Sequence, residues 1–109
     1  MADDGEAFAS ITIGAFEWDA SKNKLNLAKH GIDFDEVVEI FDGPILLDRS
    51  DRNNEERWVA IGKSKDHVIA VIFTRRNDII RIISARSARK NEKKSYRHAS
   101  IGRPSEGKD

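Results

Sequence analysis

Between Arg57 and Arg86 the chain carries three segments, RWVAIGK, HVIAVIFTR and IIRIISAR, separated only by the short polar links Lys63 to Asp66 and Arg76 to Asp78. No other feature limits the fold as much. Val and Ile fit the pleated, buried surface of central strands. Links this short cannot carry a parallel crossover, so consecutive segments must run antiparallel. With ILLD, residues 45–48, placed before the polar loop RSDRNNEE, the sequence predicts an antiparallel sheet of about four strands.

Helical patterns flank that sheet. FEWD reads as a short apolar strand leading to Asp19, an N-cap for the helix ASKNKLNLAKH, which Gly31 ends as the C′ residue. Asp33 and Glu36 have the spacing of a capping box, with Ile32 and Val37 as its hydrophobic staple. Phe34, Val37, Val38 and Phe41 then fall at i, i+3, i+4 and i+7, one face of an amphipathic second helix that Gly43 and Pro44 terminate. Residues 87–99 return to a helical pattern with Ser87 as its cap. Ala88, Glu92, Tyr96 and Ala99 form a narrow stripe among Arg89, Lys90, Lys93, Lys94 and Arg97. The expected fold is α+β: two N-terminal helices packed on the sheet, plus a basic C-terminal helix. Residues 1–15 read as an N-terminal extension, 16–100 as a single domain and 101–109 as a disordered tail.

A chain of 109 residues supports one small core. The absence of cysteine excludes a disulfide framework, thiol catalysis and cysteine-ligated zinc. No apolar run approaches a membrane span, and the N-terminal stretch is acidic where a signal peptide would be basic, so a cytoplasmic protein with no membrane partner is expected.

The formal net charge of zero hides a polarised chain. Residues 1–57 hold 14 acidic against 6 basic side chains, whereas residues 75–97 hold 9 basic against 2 acidic. Such sorting marks either a polyanion or charged-protein partner, or a solvated basic helix.

No cofactor or metal is expected. His30, His67 and His98 stand far apart in sequence, and Asp33, Asp35, Glu36 and Glu39 are explained as a helix cap and its solvated face. Glycines are scattered, and no serine sits in a nucleophile elbow. Arg81 lies in an otherwise apolar strand, where a charge is costly unless it is paired or meets solvent. Two readings are open for it. Either it forms an internal salt bridge, with Glu56 or Glu92, or Arg75, Arg81 and Arg86 line one region of the sheet and hold phosphate bidentately. Tyr96 either anchors the last helix through ring burial or stacks on a base.

The blocks Trp18-Asp19, Asn26, Lys29-His30-Gly31 with Phe34, Glu56-Arg57 with Ile61-Gly62, Arg81 with Ser84-Ala85-Arg86, and Glu92 with Tyr96 together resemble the BrnT family of type II toxin–antitoxin toxins. The resemblance runs from Phe16 to Tyr96. It implies a RelE-like fold and a ribonuclease that arrests translation. It also implies neutralisation by a BrnA-like ribbon-helix-helix antitoxin, with DNA engaged only through that antitoxin. With no metal site expected, cleavage would use the RNA's own 2′-hydroxyl, which needs a base, cations on the phosphorane and an acid for the leaving oxygen. The candidates are Arg81 and Arg86 as charge stabilisers, Glu56 or His30 as base, and Arg75 as a weaker phosphate contact. Lys29 and Arg57 would assist, Lys93 and Lys94 would hold the RNA backbone, and Tyr96 would stack on a base or act as acid. His30, beside Gly31 at a helix end, also suits a cap where positive charge is favoured. The alternative is a non-catalytic basic module that binds nucleic acid or an acidic protein.

Overall fold

The computed structural model describes residues 8, 9 and 11–101. In chain order these form β1 (Ala15–Trp18), α1 (Ala20–His30), α2 (Phe34–Val37), a 3-10 helix (Val38–Asp42), β2 (Leu46–Arg49), β3 (Trp58–Ser64), β4 (His67–Arg76), β5 (Ile79–Ser87) and α3 (Lys90–Ile101). The expected tail from residue 102 onward lies outside the described residues, as does the extension through residue 7. Residues nearer the domain are packed: Ala9 bridges to Ile45, and Ile11 and Ile13 lie against the core.

The sheet has five strands in the order β1-β5-β4-β3-β2, and it is mixed rather than antiparallel. The three-segment core folds as the short links require, but β1 joins the far edge parallel to β5, pairing Ala15 to Trp18 with Ile79 to Ile82. A parallel pair needs a long crossover, and everything from α1 to β4 supplies it.

The predicted second helix is also shorter than its pattern. Only Phe34–Val37 is α-helical, and the chain then tightens into the 3-10 helix. With three residues per turn, the buried set becomes Phe34, Val37 and Ile40, while Val38 and Phe41 are half-buried. Gly62 on β3 permits this approach, since a Cβ there would come within 2.9 Å of the Ile40 Cβ. The capping box is half formed. Asp33 accepts the Asp35 backbone N–H at 3.1 Å, but Glu36 turns away to Lys65 at 3.3 Å.

α3 begins at Lys90, because Ser87 closes β5 and caps nothing. Glu92 does that work instead, its carboxylate accepting the Arg89 backbone N–H at 2.7 Å.

The two faces of the sheet differ. Phe73, Ile80, Ile82, Val71, Ala60 and Ala85 face α2 and the 3-10 helix in the main core, with Phe34, Val37 and Ile40 opposite. On the other face Leu46, Ile61 and Ala70 meet Ala99 of α3, with Phe8, Val59, Val68 and Tyr96 around them.

Candidate active site

Helix α1 is held by asparagines rather than by apolar contacts. Its buried residue is Asn26, whose amide donates to the Ile32 carbonyl at 3.0 Å and whose Oδ1 accepts the Ala85 N–H at 3.1 Å. The second bond satisfies a β5 backbone group beyond the reach of β1, so α1 covers an otherwise open strand edge. Asn23 adds two more bonds, donating to Asp33 at 3.1 Å and accepting the Phe34 N–H at 2.9 Å. Gly31 ends the helix in the left-handed region at φ 71°. Those contacts fix where the last helical residue, His30, emerges.

His30 lines an open cavity of about 320 Å³ on the face that carries α2 and the 3-10 helix, here called the helix-bearing face, together with Glu36, Ser64, Lys65, His67 and Ser87. The strand register explains the gathering. Ser64 lies opposite His67, and Ile69 lies opposite Ser87, so all three polar residues reach the same face at the β3–β4 hairpin end. Lys65, in the turn, holds φ 57°, a region that costs an L-residue other than Gly or Asn roughly 1 kcal/mol. Its ammonium meets the Glu36 carboxylate at 3.3 Å, both groups being exposed.

Behind the same hairpin end, on the α3 side, a second cavity of about 240 Å³ is lined by Lys63, Val68, Lys93, Tyr96, Arg97 and Ser100. Tyr96 is half-buried there. Its ring meets Phe8 edge-on at 5.4 Å, and its hydroxyl donates to the Pro44 carbonyl at 3.3 Å. The anchoring reading of Tyr96 thus describes its contacts, although the ring also borders the cavity.

Arg86 is a clamp between β5 and α3. Its two terminal nitrogens reach the Glu92 carboxylate at 2.7 and 3.0 Å, with both side chains about one-fifth exposed. The guanidinium holds the Glu92 carboxyl below the usual carboxylate range, and the carboxylate raises Arg86 in turn.

Arg81 pairs with neither Glu56 nor Glu92 but with Glu17 on β1, at 3.1 Å. It does not share a region with Arg75. The register shift opposite Ile72 and Phe73 makes Ile83 an extra residue, so Ile80, Ile82 and Ala85 face the main core while Arg81, Ser84 and Arg86 face the α3 side. Without that bulge, simple alternation would separate Arg81 from Arg86. Arg75, opposite Ile80, lies on the helix-bearing face instead.

The remaining sequence candidates are dispersed. Glu56 meets Arg49 at 3.3 Å, and Arg57 meets Glu55 at 2.8 Å, in the loop leading into β3. That loop lies at the Arg81 end, since Trp58 is paired with Phe73. Thr74, the partner of Arg81, lies seven residue steps along β4 from His67, which at ~3.3 Å per residue is about 23 Å along the strand. One scissile phosphate cannot be reached from both ends. Lys29 precedes His30 and is exposed, Lys93 lines the second cavity, and Lys94 is exposed beside it. Sequence reasoning missed His67, Lys63, Lys65 and Arg97. The signal available was the tight β3–β4 link, which forces residues 63–68 to the tip of one hairpin. Among the described residues, no three His, Asp or Glu side chains are grouped to hold a metal ion, and no helix is long and apolar enough to cross a membrane.

Known proteins resemble this chain. A family model described as the ribonuclease toxin, BrnT, of type II toxin–antitoxin systems matches residues 18–92. The 1.1 Å crystal structure of the Brucella abortus ribonuclease toxin BrnT is similar, with 33% identity and a TM-score of 0.56, and the match covers 72% of this chain and 100% of that one. No curated protein matches the sequence.

Proposed function

The chain belongs to the BrnT family of type II toxin–antitoxin ribonuclease toxins, and on that premise we propose that it cleaves RNA without metal, by attack of the 2′-hydroxyl on the adjacent phosphorus. The observation that carries this reading is the His30 cavity. An exposed imidazole at a helix end shares an open cavity of about 320 Å³ with a lysine, next to a second cavity lined by three further cations. Transesterification at phosphorus needs a base for the 2′-hydroxyl and positive charge on the phosphorane oxygens.

His30 is the base in this reading, and Glu56 gives way to it, being engaged with Arg49 at the far end of β3. Lys65 and Lys29 supply charge near the scissile phosphate. Lys63, Lys93 and Arg97 hold the neighbouring backbone, with Lys94 on the helix beside them and Tyr96 offering a ring edge to a base. Arg86 keeps α3 seated rather than touching RNA, because its terminal nitrogens already serve Glu92. Arg81, Arg57 and, from the other face, Arg75 contact flanking RNA at a distance from the cut. Loss of mRNA arrests translation, in the cytoplasm, until a BrnA-like ribbon-helix-helix antitoxin covers the basic surface and ties the toxin to DNA.

The test is cleavage of a defined RNA by purified protein in chelator. The expected product ends in a 2′,3′-cyclic phosphate or its 3′-phosphate hydrolysis product. His30→Ala should lower turnover about 100-fold or more, with RNA affinity nearly unchanged. Arg81→Ala should instead weaken binding and lower its salt dependence by about one phosphate contact. A 3′-hydroxyl product or activity abolished by chelator overturns the mechanism. A 100-fold loss of turnover in Arg81→Ala would return the cut to the other end of the sheet.

A further inference from the structure

Transesterification at RNA needs two proton-handling groups, of which His30 is one. We propose that His67 is the second, acting as general acid on the leaving 5′-oxygen from the hairpin side of the cavity that His30 lines. This inference rests on the assignment of His30 as base.

Three observations converge on His67. It begins β4, with Ser64 as its direct cross-strand partner, so its side chain reaches the helix-bearing face and not the α3 side. It lines the same cavity as His30, yet it comes from the β3–β4 hairpin while His30 comes from a helix end, so the two belong to different elements. Lys65, two residues earlier in the turn, brings a cation to the same space and is held there by an exposed pair with Glu36 that a phosphate can displace. Among the described residues, this is where two imidazoles and an ammonium border one cavity.

The step balances without a further reagent. His30 takes the proton from the 2′-hydroxyl as the 2′-oxygen bonds to phosphorus. The bond from phosphorus to the 5′-oxygen breaks, and His67, starting as imidazolium, gives that oxygen its proton. Lys65 faces the non-bridging oxygens. The products are a 2′,3′-cyclic phosphate and a free 5′-hydroxyl.

A general acid matters only when the leaving group is poor. The experiment compares wild type, His30→Ala, His67→Ala and His67→Gln on an RNA dinucleotide and on a uridine 3′-(4-nitrophenyl phosphate), whose leaving group needs no protonation. Both His67 variants should lose about 100-fold or more on the dinucleotide and stay within a few-fold of wild type on the aryl ester. His30→Ala should be slow on both. His67 variants that cleave the dinucleotide at wild-type rate overturn the proposal while leaving His30 as base. So do His67 variants equally slow on both substrates, since that pattern belongs to a residue that shapes the cavity. Wild-type protein that cleaves neither substrate in chelator overturns the underlying reading instead.

Discussion

The two faces of the sheet hold their helices by different physics. On one face, α2 and the 3-10 helix press Phe34, Val37 and Ile40 into strand residues that are almost wholly buried, while α1 is tied on through Asn23 and Asn26. On the other face, α3 buries little beyond Ala99 and is fastened through the Arg86–Glu92 pair and the Tyr96 contacts. Apolar burial is neither screened by counterions nor titrated by pH, whereas an ion pair is both. The contrast teaches that the fold is fixed from the helix-bearing side, and that the basic α3 is a fitted element whose seat depends on charge. The proposed chemistry sits at the hairpin tip, where the rigid face ends and both kinds of helix come close.

The largest effect should come from the apolar face. Phe34→Ala empties a fully buried site and should cost about 3 to 5 kcal/mol. Phe41→Ala should cost about half of that, because Phe41 is only half-buried, against Phe16 and Phe73. Urea denaturation of both variants checks the order. Equal losses would mean that the second helix presents the α-helical stripe of its sequence and not the three-residue period of the structure.

Asn26→Ala should cost about 2 to 3 kcal/mol, since it strands the buried Ala85 N–H and frees the Ile32 carbonyl. It should also slow RNA cleavage, because the same bonds set where His30 leaves α1. A variant that loses stability but cleaves at the wild-type rate would uncouple α1 from the site.

Local signals mark where the sequence is readable. Links too short for a crossover dictate three antiparallel strands, and Asp19 and Gly31 mark the ends of α1 because a cap is a local event. FEWD is legible as a strand but its parallel pairing with β5 is not, for it is four residues long and its partner lies more than sixty residues away. Nor was the bulge at Ile83, which depends on how β4 and β5 twist together and not on any one residue type. That single extra residue decides which arginines share a face. Asn26 looks like an ordinary helix residue until the β5 edge is beside it, and Leu25, its neighbour, remains 70% exposed. Nor does sequence spacing show His67 beside the cavity that His30 lines, since the strand register brings it there.

The smallest effect, and the sharpest probe of the α3 side, is the pH dependence of Glu92→Gln. Glu92 accepts two bonds from Arg86 and one from the Arg89 backbone, and the Arg86 guanidinium is the main reason its carboxyl titrates below the usual range. A carboxyl lowered in the folded state stabilises the protein above its unfolded-state value, and that contribution is lost as pH falls through the folded value. At neutral pH the amide keeps the shape but not the charge, so the variant should be less stable by about 1 to 2 kcal/mol. On acidification the wild type loses the same charge by protonation. The gap between the two proteins should therefore close from the ordinary glutamate range downward. Asp19, Asp33 and Asp51, also lowered, by backbone bonds at the first two and by Arg49 at Asp51, destabilise both proteins alike on acidification and cancel in the difference. Denaturant midpoints measured from neutral to acid pH supply the comparison. A gap that stays constant with pH would show that α3 is seated by Ala99 and Tyr96 alone, and the two faces would then differ in area rather than in kind.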